Sequence, residues 1–239
     1  MLQLLLPLFV LQNSEPISRN ISSKLSCTDA PLTFPTNVQD SDREMILDQL
    51  GYVPENLVSV SARRGTGSPL ALKTYSLNGG GARRKRKALG DMTPFPTLYW
   101  FCCPIVSKAI SDLEREGYVR ILEDRLEEDE SILANFIKSH EGYALERWNS
   151  LLPQHQEYLQ KSDRMTEMVK YSGIAGTDFK SFAPNNDNHD RDRASIKCLH
   201  AHYAHYRSQL ENDDCDYPLN IIGEWTHEIL SEKNPDLIL

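Results

Sequence analysis

TPFPTLYWFCCPIVSKAISDLEREG (residues 93–117) changes character at its midpoint. Pro94 and Pro96 deny the first half a helix and hold its backbone extended. Thr97 to Phe101 is then aromatic and β-branched enough for a strand lying in a core. After the Cys102–Cys103 pair, Pro104 suits the first turn of a helix. Ile105, Ala109, Ile110 and Leu113 recur at helical spacing, and Gly117 suits the end of that helix. The stretch predicts a third strand running almost directly into a helix.

Upstream, DSDREMILDQLGY (40–52) predicts a short helix with Met45, Ile46 and Leu50 on its apolar side. NLVSVSARR (56–64) and PLALKTYSL (69–77) predict two strands, and GTGS between them a hairpin. Downstream, YVRILEDRL and ESILANFIKSHEGYALERWNSLL predict two helices, and EYLQKSDRMTEMVKY another. Residues 172–190 read as loop, 192–210 as helix, and NIIGEWTHEIL (220–230) as the helix that ends the domain. No internal repeat is present. A helix, three strands and then a run of helices predict an α+β fold, a small antiparallel sheet of about three strands covered by helices. Residues 1–37 are expected to be a leader, and 38–233 one domain.

The chain has 239 residues, 40% hydrophobic and 25% charged, with a formal net charge of -8. This is globular composition, and the charge gives no reason to expect nucleic acid or an anionic membrane as partner. The basic run Arg83 to Lys87 sits in a Gly-rich connector (78–91) with no interleaved aromatics. It reads as an exposed loop rather than a recognition element. The acidic runs at 123–130 and 211–216 read as solvated faces. Five cysteines at irregular spacing argue against a disulfide framework and for a reducing, intracellular setting. The apolar start MLQLLLPLFVLQ is too short to span a bilayer. The Ser-rich, acid-free stretch at 18–26 is compatible with an organelle transit peptide.

TPFPTLYWFCCP, SHEGYALER, SGIAG, IKCLHAHYAHY and IIGEWTHEIL follow one another in this order. Together they resemble the bacterial family known as domain of unknown function 501, over roughly residues 42–230 and with an extra insertion near 177–194. The resemblance implies a compact α+β domain and no established activity. It falls on Cys103, Pro104, His140, Glu141, Tyr143, Arg147, Lys197, Cys198, His200 and His205. In the family, the first strand commonly ends in Arg-Cys-x-x-Gly-x-Pro. Here Arg64 stands where that cysteine would be, so a metal set drawing on it is one ligand short in this chain.

IKCLHAHYAHY (196–206) holds Cys198, His200, His202 and His205. On a helix over 192–210, Ile196, Leu199, Tyr203, Tyr206 and Leu210 form the core stripe. Cys198, His202 and His205 share one flank and His200 lies on the other. Cys198 and His205 stand about 10 Å apart along such an axis, too far to share one ion. Cys198 with His202, His202 with His205, or Cys198 with His200 if the helix begins later, are the workable pairs for zinc. Cys103 is the expected outside ligand. Cys103 is also the expected cap of the helix from Pro104, where a thiolate is favoured and a histidine of 200–205 would serve as base. The competing reading is a cysteine packed as a small hydrophobe. A third constellation, Arg63 with His140, Tyr143 and Arg147, would suit a phosphate or carboxylate. Its competing reading pairs Arg147 with the acids of 123–130. Two functions stay open: a non-enzymatic or regulatory domain stabilised by zinc, or an enzyme acting on a phosphorylated small molecule through Cys103 or a bound metal.

Overall fold

The computed structural model describes residues 34–79, 92–183 and 191–237. The basic run 83–87, Cys27 and leader residues 1–33 lie outside these. Residues 34–37, counted with the leader from the sequence, pack on the domain. Phe34 stacks on Tyr75 with ring centres 4.6 Å apart, and the Asn37 N–H donates to Val58 O.

Three strands form one antiparallel sheet in the order β1 (Leu57–Arg63), β2 (Pro69–Thr74), β3 (Tyr99–Phe101). The hairpin closes through Gly67, which adopts φ 84° and donates its N–H to Arg64 O. β2 lies in the middle and is almost wholly buried. Beneath the sheet, Leu57, Leu72 and Cys102 pack on Ile46 of α1 (Asp40–Leu50). On the other side, Leu70, Ala71 and Tyr99 join the main core with Leu199, Tyr203 and Ala204. The fold is α+β, as the order of sequence patterns implies.

α2 (Pro104–Arg115) follows β3 at once, with Pro104 in its first turn. Its buried stripe is Val106, Ile110 and Leu113. Ile105, expected in that stripe, is 59% exposed, because the buried positions run i, i+4, i+7 from Val106 and Ile105 lies about 100° around the helix from it. α3 (Tyr118–Glu127), α4 (Glu130–Asn149), α5 (Pro153–Leu159) and the four-residue α6 (Asp163–Thr166) follow. α6 runs into a π-helical turn at Glu167–Tyr171. The single helix expected over EYLQKSDRMTEMVKY is thus broken, by Ser162, whose hydroxyl caps a new helix at Met165 N.

α7 is Leu199–Leu210, not 192–210. Residues 192–198 are extended because carboxylates take the backbone N–H groups a helix would need. Glu127 Oε1 accepts from Ala194 N at 2.8 Å, Glu123 Oε1 from Ile196 N at 2.7 Å, and Glu114 Oε1 from Leu199 N at 2.8 Å. The Ala194 and Ile196 side chains are meanwhile buried in the main core. The acidic run at 123–130 is therefore more than a solvated face. Leu210, expected in the core stripe, is 51% exposed. α8 (Ile221–Lys233) crosses α7 closely at Gly223, where an added Cβ would lie 2.3 Å from Tyr206 Cβ and 2.5 Å from His202 O. No helix among the described residues is long and apolar enough to cross a membrane.

Candidate functional site

The late start of α7 puts Cys198 at its N-cap, in an extended conformation (φ -164°, ψ 114°). His200 is then one residue inside the helix, and both side chains turn toward the last turn of α2. One ligand atom each from Glu114, Cys198 and His200 lies within 4.8 Å of the others. All three residues are half-buried. This group could hold a metal ion, and it is the pairing of Cys198 with His200 that a later helix start allows.

The hydrogen bonds of His200 sort its two nitrogens. Nε2 faces Ser107 O at 3.0 Å and, more weakly, Ser111 Oγ at 3.4 Å. Nδ1 faces Glu114 Oε1 at 3.3 Å. A ring nitrogen that donates to a main-chain carbonyl leaves its partner as the ligand, the usual orientation of a metal-binding histidine. Burial alone would lower the pKa of His200. The Cys198 side chain, the Glu114 carboxylate and the Ser107 carbonyl outweigh it and raise it to about 9. In the metal-free protein, a proton thus sits on the imidazole facing the carboxylate.

Cys103 is not part of this group. It is 1% exposed, caps α2 without a side-chain hydrogen bond, and packs in the main core beside Val106 and Tyr203. Its neighbour Cys102 lies on the opposite side of the sheet, where burial and the adjacent Cys103 raise its thiol pKa.

His202 and His205 are also elsewhere. Both are fully buried and converge on Asn220, the residue that caps α8. Asn220 Nδ2 lies 3.0 Å from Nδ1 of each. His205 Nε2 reaches Tyr217 Oη at 3.0 Å, and that hydroxyl donates to Glu146 Oε2 at 2.7 Å. Glu146 Oε1 accepts from Tyr99 Oη at 2.6 Å and Lys73 Nζ at 2.8 Å. Burial and the Glu146 charge raise both tyrosine pKa values. Gly142 admits this arrangement, since a Cβ there would lie 2.1 Å from the Tyr217 ring.

The four residues of the expected anion constellation do not share one site. Arg63 forms a two-pronged ion pair with Asp42, both contacts at 2.8 Å, beside the hairpin. Arg147 is fully buried and gives its donors to Val169 O, Pro96 O and Ser172 O at 2.6, 2.9 and 2.5 Å. Its partners are main-chain carbonyls, not the acids of 123–130. Tyr143 Oη accepts from Leu98 N at 2.7 Å. His140 Nδ1 accepts from Ile174 N at 3.0 Å. The SGIAG motif wraps that ring: a Cβ on Gly173 would meet His140 Nδ1 at 2.3 Å, and Ala175 turns the chain with φ 55°.

Glu114, Glu146, Tyr217 and Asn220 are absent from the sequence-derived set. Glu114 reads in sequence as one more surface acid in SDLEREG. Asn220, ahead of an apolar helix, carries a legible capping signal, but its contacts to two histidines do not show in sequence.

A surface concavity of about 550 Å³ is lined by Asp124, Glu127, Arg191 and Arg193. It holds two ion pairs, Arg191 with Glu127 at 2.6 Å and Arg193 with Asp124. It is far from a catalytic cleft in character, since its charges satisfy one another.

No curated protein and no solved structure matches the chain. One family does, over residues 60–228, from within β1 to the middle of α8, and it spans the converging Glu114, Cys198 and His200. With most of its length covered by that match, the chain belongs to the family described as protein of unknown function, DUF501.

Proposed function

We propose that this is a non-enzymatic, regulatory domain that binds zinc through Glu114, Cys198 and His200. The observation that carries the reading is the convergence of these three groups within 4.8 Å, with His200 oriented by Ser107 O. Thiolate, imidazole and carboxylate together suit zinc, which takes sulfur at ~2.3 Å and nitrogen or oxygen at ~2.0–2.2 Å. The ion would fasten the end of α2 to the start of α7, two elements far apart in sequence. Glu114 already joins them by accepting the Leu199 N–H. A nucleophilic relay fits less well. It would divide the two nitrogens of His200 between thiol and carboxylate, but Nε2 faces the Ser107 carbonyl.

The rival is an enzyme acting on a phosphorylated small molecule with the metal at its centre. It draws on one feature: three protein ligands leave a coordination position open, as catalytic zinc sites do. The buried Cys103 gives that reading no exposed nucleophile.

Metal content of the purified full-length protein, measured by mass spectrometry before and after chelator, tests the proposal. About one equivalent of zinc is expected, lost in Cys198→Ser and His200→Ala and retained in Cys103→Ala. Chelation should lower the melting temperature by several degrees. Zinc retained with no effect on melting, together with phosphatase activity on a generic phosphate ester, would favour the rival. Failure of added zinc to bind would overturn both metal readings.

A further inference from the structure

A second buried place lies between α4 and α7, separate from the candidate zinc ligands. His140 and His202 are both fully buried, and neither Nε2 has a hydrogen-bond partner within the protein. The two rings meet edge to face, with centres 5.5 Å apart. A buried polar atom left in this way is uncommon in a native core, and each instance requires an explanation.

The surrounding hydrogen bonds assign the protons. Ile174 N–H donates to His140 Nδ1, so that nitrogen carries no hydrogen and Nε2 carries it. For His202, the assignment runs through Asn220. Its Oδ1 accepts the Gly223 N–H at 3.1 Å, which fixes the amide orientation. The two Nδ2 hydrogens then serve Nδ1 of His202 and His205, each at 3.0 Å. Asn220 Oδ1 is also 3.1 Å from His202 Nδ1. A proton placed there would leave one Nδ2 hydrogen with no acceptor, so the first arrangement satisfies more groups. His205, with its Nδ1 accepting, donates from Nε2 to Tyr217. Both orphaned nitrogens of His140 and His202 are therefore N–H donors. A metal would need a lone pair on Nε2, and at His140 the Ile174 N–H holds the ring in the opposite tautomer.

We propose that His140 and His202 form a buried receiving site for one small hydrogen-bond acceptor, a water molecule or a single halide ion, bridging α4 to α7. The two rings adjoin, with centres 5.5 Å apart, and each carries one unpartnered Nε2; one acceptor ~2.9 Å from each serves both where the donors stand no more than ~5.8 Å apart. The walls are aromatic. The Phe136 ring centre stands 4.5 Å from that of His140 and 5.7 Å from that of His202, and Phe179 stacks on His140 at 5.6 Å. Such walls suit a single-atom ligand. Ser139 Oγ and Thr177 Oγ1, likewise buried without partners, belong to α4 and to the loop that wraps His140. A bound water with two to four polar partners is the ordinary way a folded protein satisfies such groups.

Crystals of the full-length protein grown in chloride and in bromide, at high resolution, test this. Density of oxygen size within ~3.2 Å of both Nε2 atoms in both salts would identify water. An anomalous bromine peak at that place would identify a halide, and either result supports the site. Absence of density in both salts would overturn it. Nitrogen-15 spectra of histidine-labelled protein give a second, crystal-independent reading. Both His140 and His202 are expected as Nε2–H tautomers with slowly exchanging ring protons. An Nδ1–H tautomer at either would also overturn the proposal. Neither readout depends on zinc, so failure here leaves the Glu114–Cys198–His200 reading standing.

Discussion

Arg147 is fully buried, and its three hydrogen-bond partners are main-chain carbonyls from positions 96, 169 and 172. The guanidinium also lies over the Tyr143 ring, 5.3 Å from its centre. It ties α4 to the extended entry of β3 and to the turns after α6. Arg147→Met would leave three carbonyls without a donor inside the core. A loss of about 3–5 kcal/mol is expected, read by chemical denaturation, with Arg147→Lys intermediate because one ammonium cannot reach all three. A loss below about 1 kcal/mol would show that water reaches those carbonyls. The helical face shared by His140, Tyr143 and Arg147 was legible in the sequence from their spacing. What they bind was not, because a carbonyl acceptor has no side-chain signature. The same holds for Cys198 and His200. Their identity and closeness are plain in sequence, but Glu114 arrives from 84 positions earlier and could not be singled out among the acids of its helix.

The segment before α7 shows the limit at the scale of an element. Residues 192–210 carry a helical pattern, yet the first part is pulled straight. Glu123 and Glu127 accept alternate N–H groups along it while Ala194 and Ile196 enter the core. Two charged acceptors at good geometry outweigh one turn of a helix, whose first N–H groups have no partner in any case. Replacing both carboxylates, as Glu123→Gln with Glu127→Gln, should cost roughly 1–2 kcal/mol, reduced from the full value by the partial exposure of Glu127. Amide exchange at Ala194 and Ile196 should rise at least tenfold relative to α7. Unchanged exchange at those two amides would show that burial alone holds the segment. The reverse case is 93–117, where Pro94, Pro96 and Pro104 act locally, and strand and helix appear where the sequence puts them.

Across the whole molecule, three neutral histidines share one core. Burial holds His140 and His205 well below the usual histidine range, with the neighbouring His202, and for His140 also His205 and Lys197, adding to the effect. His202 is lowered to about 4. Above pH ~6.5, these histidines are neutral in both folded and unfolded chains and do not affect the balance. As pH falls below that value, the unfolded chain takes up protons that the folded one refuses. Stability should therefore drop toward pH 4.5 by up to ~1.4 kcal/mol per pH unit for each such histidine. His200, raised to about 9, stays charged in the folded state over this range and adds no slope of the same sign. Denaturation measured from pH 7.5 to 4.5 checks this, and His205→Gln should flatten the curve. An equally steep curve in that variant would put the acid sensitivity elsewhere. By itself, the sequence determined the α+β class, the three strands, the position of α2, the family and the presence of a Cys/His segment. These rest on signals that are local, or that repeat in order along the chain. Only the tertiary structure decided which histidines meet which partners. It separated His200, beside Cys198 and Glu114, from His202 and His205, which turn to Asn220. The physical reason is that a helix fixes only the direction of a side chain. The atoms waiting in that direction come from elements dozens of residues away, brought there by burial of the core they share.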